Sequence, residues 1–128
     1  MVFREGRTMP LQMRVAIVNI GRMQLEVIEP VGGEAATIYT DGIDFDRSPI
    51  VFHHIGIAVP GSFANWSVIE ADVRQSGEDF AMAFAFDHEA PPMVRCAYVD
   101  TRRHTGHYTE FLWWSAAVAV GNAAFPER

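Results

Sequence analysis

The chain has 128 residues, 49% of them hydrophobic and 12% aromatic, with a formal net charge of −6. That much apolar content excludes a disordered chain. The acidic balance argues against a general nucleic-acid binder, which needs basic surface to release counterions from phosphates.

The N-terminal residues MVFREGRTMP lack the apolar core of a signal peptide. Residues 12–20 and 23–29 are β-like runs around Gly21-Arg22, which predicts a tight hairpin. Pro30 has no N–H for a ladder and is expected to end the second strand. Residues 31–49 read as a linker with one helical turn near Ala35–Tyr39, and residues 50–59 as a strand closed by Pro60-Gly61. Ser62 then suits an N-cap, and Phe63, Trp66, Ile69 and Val73 recur at helical spacing up to a stop at Gly77. In residues 78–87, Phe80, Met82, Phe84 and Phe86 alternate with alanines, which predicts a strand with its bulky face in a core. Pro91-Pro92 break the chain before a second hairpin at 93–113, and residues 115–128 read as a short helix or a loose tail.

The lone cysteine, Cys96, sits in an apolar strand, which speaks against a disulfide framework and for a reducing compartment. By itself it reads as a small buried hydrophobe. The apolar stretch 111–120 is interrupted by Ser115 and too short to span a bilayer, so a soluble cytoplasmic protein with no membrane partner is expected.

The two hairpins are copies of one another. Aligned without gaps from Met13 and Val94, Arg14 superposes on Arg95, Ala16 on Ala97, Val18 on Val99 and Asn19 on Asp100. Glu26 then meets Glu110, the extra residues of the second copy falling in the polar run 101–106. Two strand–turn–strand units, each carrying a carboxylate, suggest two related halves facing one shared site. From residue 50 onward the order is β-α-β-β-β, one complete unit preceded by an incomplete one.

FHHIGIAV (52–59), AYVDT (97–101) and GHYTEFL (106–112), with MQLEVIEP (23–30), resemble motifs of the vicinal oxygen chelate superfamily, which includes the glyoxalases, the methylmalonyl-CoA epimerases and the bleomycin-resistance proteins. The resemblance implies an α+β fold of paired βαβββ modules. It divides the chain into a partial first module at 1–30, a linker at 31–49, a complete second module at 50–114 and a tail at 115–128. It further implies a divalent metal (Zn, Ni, Co, Mn or Fe) on Glu26, His54 and Glu110. The family's fourth ligand, a His of the first module, has no counterpart here, because the equivalent position falls before residue 1.

Alternation supports the ligand choice: Gln24, Glu26 and Ile28 share one face, Tyr108, Glu110 and Leu112 another, and His54 lies with Gly56 and Ala58. His53 falls with Ile55, Ile57 and Val59, which looks like packing. His104 and His107 read as exposed loop residues, and Glu29 as solvated. Arg14 and Arg95 suit either an anionic substrate or structural pairing. Asn19, Phe84, Tyr108 and Trp113 are candidate substrate-lining residues.

The resulting expectation is a homodimeric, metal-dependent lyase or isomerase acting on a small carbonyl or thioester through an enediolate, with Glu26 or Glu110 moving the proton. The alternatives are a non-catalytic small-molecule-binding protein of the bleomycin-resistance type, a truncated fragment with an incomplete metal site, and a ring-cleaving dioxygenase if His53 joined the site.

Overall fold

The computed structural model describes residues 1–85 and 93–116. The fold is mixed α+β and mostly sheet. In chain order the elements are β1 (Val2–Arg4), β2 (Arg7–Met9), β3 (Gln12–Ile20), β4 (Met23–Gly32), a 3-10 helix (Glu34–Tyr39), β5 (His54–Ala58), α1 (Phe63–Gln75), β6 (Phe80–Ala85), β7 (Val94–Val99), α2 (Arg102–Thr105) and β8 (Tyr108–Trp114). The expectations for Phe86, Pro91-Pro92 and the tail from 117 onward lie outside the described residues.

Six strands form one sheet in the order β2-β1-β6-β7-β8-β5, and β3-β4 form a separate two-stranded sheet. All neighbours in the large sheet are antiparallel except β5 and β8, which are parallel. A parallel pair needs a long crossover, and α1, β6 and β7 supply it.

Each face of the large sheet has its own core. On one face α1 packs Phe63, Trp66 and Ile69 against Phe80, Ala83, Ala97, Phe111 and Trp113. On the other face the 3-10 helix contributes Ala35, Ile38 and Tyr39 to a cluster with Val2, Met82, Phe84, Cys96, Tyr98 and Tyr108, and Met13 and Ile28 of the β3-β4 hairpin pack against it. Gly33, at φ 91, carries the chain past the Pro10 carbonyl, where a Cβ would stand 2.5 Å from that oxygen. Ala35 then donates its N–H to the same carbonyl, which seats the 3-10 helix.

The repeat survives in the register. Glu26 lies opposite Ile17 and Glu110 opposite Tyr98, and Ile17 and Tyr98 are equivalent positions of the two copies. Likewise Ala16 faces Val27 while Ala97 faces Phe111. The copies differ in what covers them. The face of β7-β8 bearing Ala97 and Phe111 lies under α1. The equivalent face of β3-β4 leaves Val18 52% and Leu25 50% exposed.

Several expectations need correction. The N-terminal residues form the hairpin β1-β2, turning at Glu5 and Gly6 with positive φ, and β1 pairs with β6. Strands β1 and β2 therefore belong to the sheet of the later segment, while β3-β4 stand outside it. Strand β4 continues through Pro30 to Gly32, because the register shifts opposite Gln12-Met13 and the proline meets a bulge. Strand β5 begins at His54, leaving 50–53 outside the ladder. An irregularity between Phe80 and Met82 turns Phe80 to the helix side, stacked on Trp66, away from Met82 and Phe84.

Trp66 is 2% exposed between α1 and the sheet, whereas Val68 on the same helix is 56% exposed. Trp66→Ala is expected to cost about 3–5 kcal/mol in chemical denaturation. Val68→Ala should stay within about 0.5 kcal/mol of wild type. Equal effects of the two substitutions would refute this assignment of the helix-side core.

Candidate metal centre

Three strands bring Glu26, His54 and Glu110 together. The β5-β8 register sets His54 against Tyr108 and Gly56 against Glu110, so His54 and Glu110 project from the same face of adjacent strands. Glu26 enters from β4, whose inner face rests on that side of the sheet through Ile28. One ligand atom from each of the three residues lies within 4.8 Å of the others. His54 Nε2 is 3.4 Å from Glu26 Oε2 and 3.5 Å from Glu110 Oε2.

Gly56 makes the space. A Cβ there would stand 3.2 Å from Glu110 Oε2 and 3.0 Å from Leu112 Cδ1. The absence of a side chain at Gly56 lets the carboxylate lie back over β5.

Glu110 is 6% exposed, and burial pushes its carboxyl above the ordinary carboxylate range. Its Oε1 accepts the Cys96 thiol hydrogen at 2.8 Å, and Tyr98 faces Glu110 across the β7-β8 ladder. Tyr39 in turn donates to the Tyr98 oxygen at 3.2 Å. Burial raises both phenols and the thiol above their usual values, so all three remain protonated donors at neutral pH. These contacts hold one side of Glu110 and leave Oε2 toward His54.

His53 is on the site side, not among the isoleucines of β5. It precedes the strand, so alternation does not bind it. Its ring lies between Tyr39 and Tyr108, at centroid distances of 4.8 and 4.9 Å. Its Nε2 is 2.9 Å from the Ile38 carbonyl and its Nδ1 3.1 Å from His54 Nδ1. Burial holds it below the ordinary imidazole value, which makes it neutral at pH 7.

The substrate-lining candidates divide. Tyr108 and Phe84 are on the site side but buried in its core. Asn19 is on the Glu26 face of the hairpin, opposite Gln24, whose amide donates to it at 3.1 Å. Trp113 is a correction: strand alternation turns it to the helix side, where it packs on Phe63 and donates Nε1–H to the Gly61 carbonyl. Arg14 pairs with Glu29 at 3.0 Å, and Arg95 stands over the Phe63 ring, so neither points at the three ligand groups.

Cys96, Tyr98, Tyr39 and His53 were missed as supports of the site. The repeat carried a signal for Tyr98, since the residue opposite each glutamate is fixed by the hairpin register. For Tyr39 and the Ile38 carbonyl there was none, because a linker segment has no periodicity to place it.

The donor set fits a divalent ion. One imidazole and two carboxylates suit Zn, Ni, Co, Mn or Fe, and three protein ligands leave positions open for substrate or water. Among the described residues this is the only group of three such side chains close enough to share an ion.

In the metal-free protein the raised Glu110 carboxyl means that the folded state binds a proton more tightly than the unfolded one. Its favourable contribution is therefore present at low pH and lost as pH rises from the ordinary carboxylate value through the raised one. Glu110→Gln, which stays neutral, should melt higher than wild type above that window, and the gap should close as pH falls. A Tm difference independent of pH would refute this.

No protein-family model matches the chain, and no curated protein does. Among the described residues no helix is long and apolar enough to cross a membrane.

Proposed function

We propose that the protein is a metal-dependent lyase or isomerase of the glyoxalase or epimerase kind, acting on a small carbonyl or thioester substrate. The observation that carries this reading is the convergence of Glu26, His54 and Glu110 from three different strands within 4.8 Å. The strand order β6-β7-β8-β5, with β5 parallel to β8 and α1 on the outer face, supports the reading of residues 50–114 as a βαβββ module.

A bound divalent ion would polarise the substrate carbonyl and make the hydrogen on the adjacent carbon more acidic. The residues themselves divide the remaining work. Glu110 is held by the Cys96 thiol and serves as a fixed ligand. Glu26 has its side chain 31% exposed on a hairpin strand, so it can swing and carry a proton between neighbouring carbons. The tyrosine-lined core beneath His54 keeps water away from that side of the site.

Metal content per chain after extensive dialysis and loading with divalent ions tests this. Near-stoichiometric metal is expected for wild type and little for Glu110→Ala, with turnover sought first on α-ketoaldehydes and acyl-CoA thioesters. No metal in the loaded wild type would overturn the enzyme reading in favour of a binding module of the bleomycin-resistance kind.

A second copy of the chain is the proposed cover for the outer face of β3-β4. That face is the counterpart of the one that α1 covers on β7-β8, and its row Ala16, Val18, Leu25 and Val27 can pack on itself across a two-fold axis. Sedimentation should give a dimer for wild type and a monomer for Leu25→Asp, with metal content unchanged. A monomeric wild type would remove the second copy from the proposal.

A further inference from the structure

His54 must present a lone pair to an ion, and which of its nitrogens does so depends on the partner of the other. Its Nδ1 is 3.1 Å from His53 Nδ1, and two imidazole nitrogens at that distance need one hydrogen between them. The other end of His53 decides where that hydrogen belongs. His53 Nε2 is 2.9 Å from the Ile38 carbonyl, which can only accept, so Nε2 carries the His53 hydrogen. In a neutral His53 the Nδ1 is then the acceptor, and the hydrogen in the shared contact sits on His54 Nδ1. That leaves His54 Nε2 as a bare lone pair facing the Glu26 and Glu110 oxygens at 3.4 and 3.5 Å.

The ring of His53 has little freedom to do otherwise. Tyr39 lies against it at 37° and Tyr108 at 29°, which clamps the imidazole plane. A flip about the Cβ–Cγ bond would set ring carbons against both the Ile38 carbonyl and His54 Nδ1, losing both hydrogen bonds. The relay runs from the backbone of the 3-10 helix through His53 to His54.

We propose that His53 is a positioning residue: by donating to the Ile38 carbonyl and accepting from His54 Nδ1, it fixes the His54 tautomer that offers Nε2 to the metal. The inference rests on the metal-site reading. It adds a residue that touches neither ion nor substrate, and it ties the ligand to the segment 34–39 far from it in sequence. Partners of this kind, which hold the far nitrogen of a ligating imidazole, commonly govern 10–100-fold of metal affinity.

Zinc affinity by calorimetry and the His54 tautomer by long-range 1H–15N NMR of the metal-free protein at pH 8 test it together. Wild type should bind zinc and show the hydrogen on His54 Nδ1. His53→Phe keeps a ring between the tyrosines but neither hydrogen bond. It should bind zinc roughly 10–100-fold more weakly and shift His54 toward the Nε2–H form. His53→Gln, whose amide both donates and accepts, should recover most of the affinity and the Nδ1–H signal, whereas His54→Ala should lose zinc binding altogether. Wild-type affinity in a folded His53→Phe, or an Nε2–H His54 in wild type, overturns the proposal while leaving the metal site standing. Absence of zinc binding in wild type overturns the metal site and this inference with it. If His53→Phe does not fold, the wild-type tautomer and the His53→Gln affinity decide the matter.

Discussion

The parallel pairing of β5 with β8 is the constraint on which the site depends. It sets the short strand that carries His54 beside the strand that carries Glu110, with Gly56 directly opposite the carboxylate. An antiparallel partner could have come from a tight turn, but a parallel one requires the chain to leave the sheet and return. Helix α1 and strands β6 and β7 make that return, and in doing so they build both cores. The helix closes one face. The other face is left for the 3-10 helix, the hairpin and the three ligands.

Burying a carboxylate beneath a hydrophobic cluster is unfavourable unless its oxygens are satisfied. Glu110 shows how this chain deals with the cost. The Cys96 thiol from the neighbouring strand β7 donates to it, and Tyr98, which faces it across the ladder, is held in turn by the Tyr39 phenol from the 3-10 helix. The carboxyl nonetheless remains above its ordinary range. Three acceptor groups facing one another are poorly matched by themselves and well matched by a cation at their centre. His54 fits the same pattern, since its far nitrogen is held by His53 and its near nitrogen faces two carboxylates.

The repeated hairpins show how one local unit can serve two ends. In both copies the glutamate sits at the same register, opposite Ile17 in one and Tyr98 in the other. The copy at β7-β8 lies inside the six-stranded sheet and its glutamate is buried. The copy at β3-β4 stands apart as a two-stranded layer, and its glutamate is half-buried. The difference between a pinned ligand and a movable one follows from that difference in surroundings, not from the local sequence.

Much of this was legible in the residues. Period-2 and period-3.6 patterns located both hairpins, the helix from Phe63 and the β-α-β-β-β order, and the repeat brought Glu26 and Glu110 forward as a pair. Local patterns failed wherever the outcome depended on a distant strand. The N-terminal hairpin β1-β2 has three-residue strands, too short to carry a period, and it is a strand pair because β6 offers an edge. Pro30 stays in its strand because the ladder is interrupted beside it at Val31, where a missing N–H is tolerated. Trp113 and Phe80 took the helix side because register, which is a property of strand pairs, sets the face of each residue. The sequence by itself determined the strands from β3 onward, the helix α1 and the three side chains that suit a metal. Only the tertiary structure decided what holds those side chains, because Cys96, Tyr98, Tyr39 and the Ile38 carbonyl reach the site through strand pairing and packing between segments that no local periodicity connects.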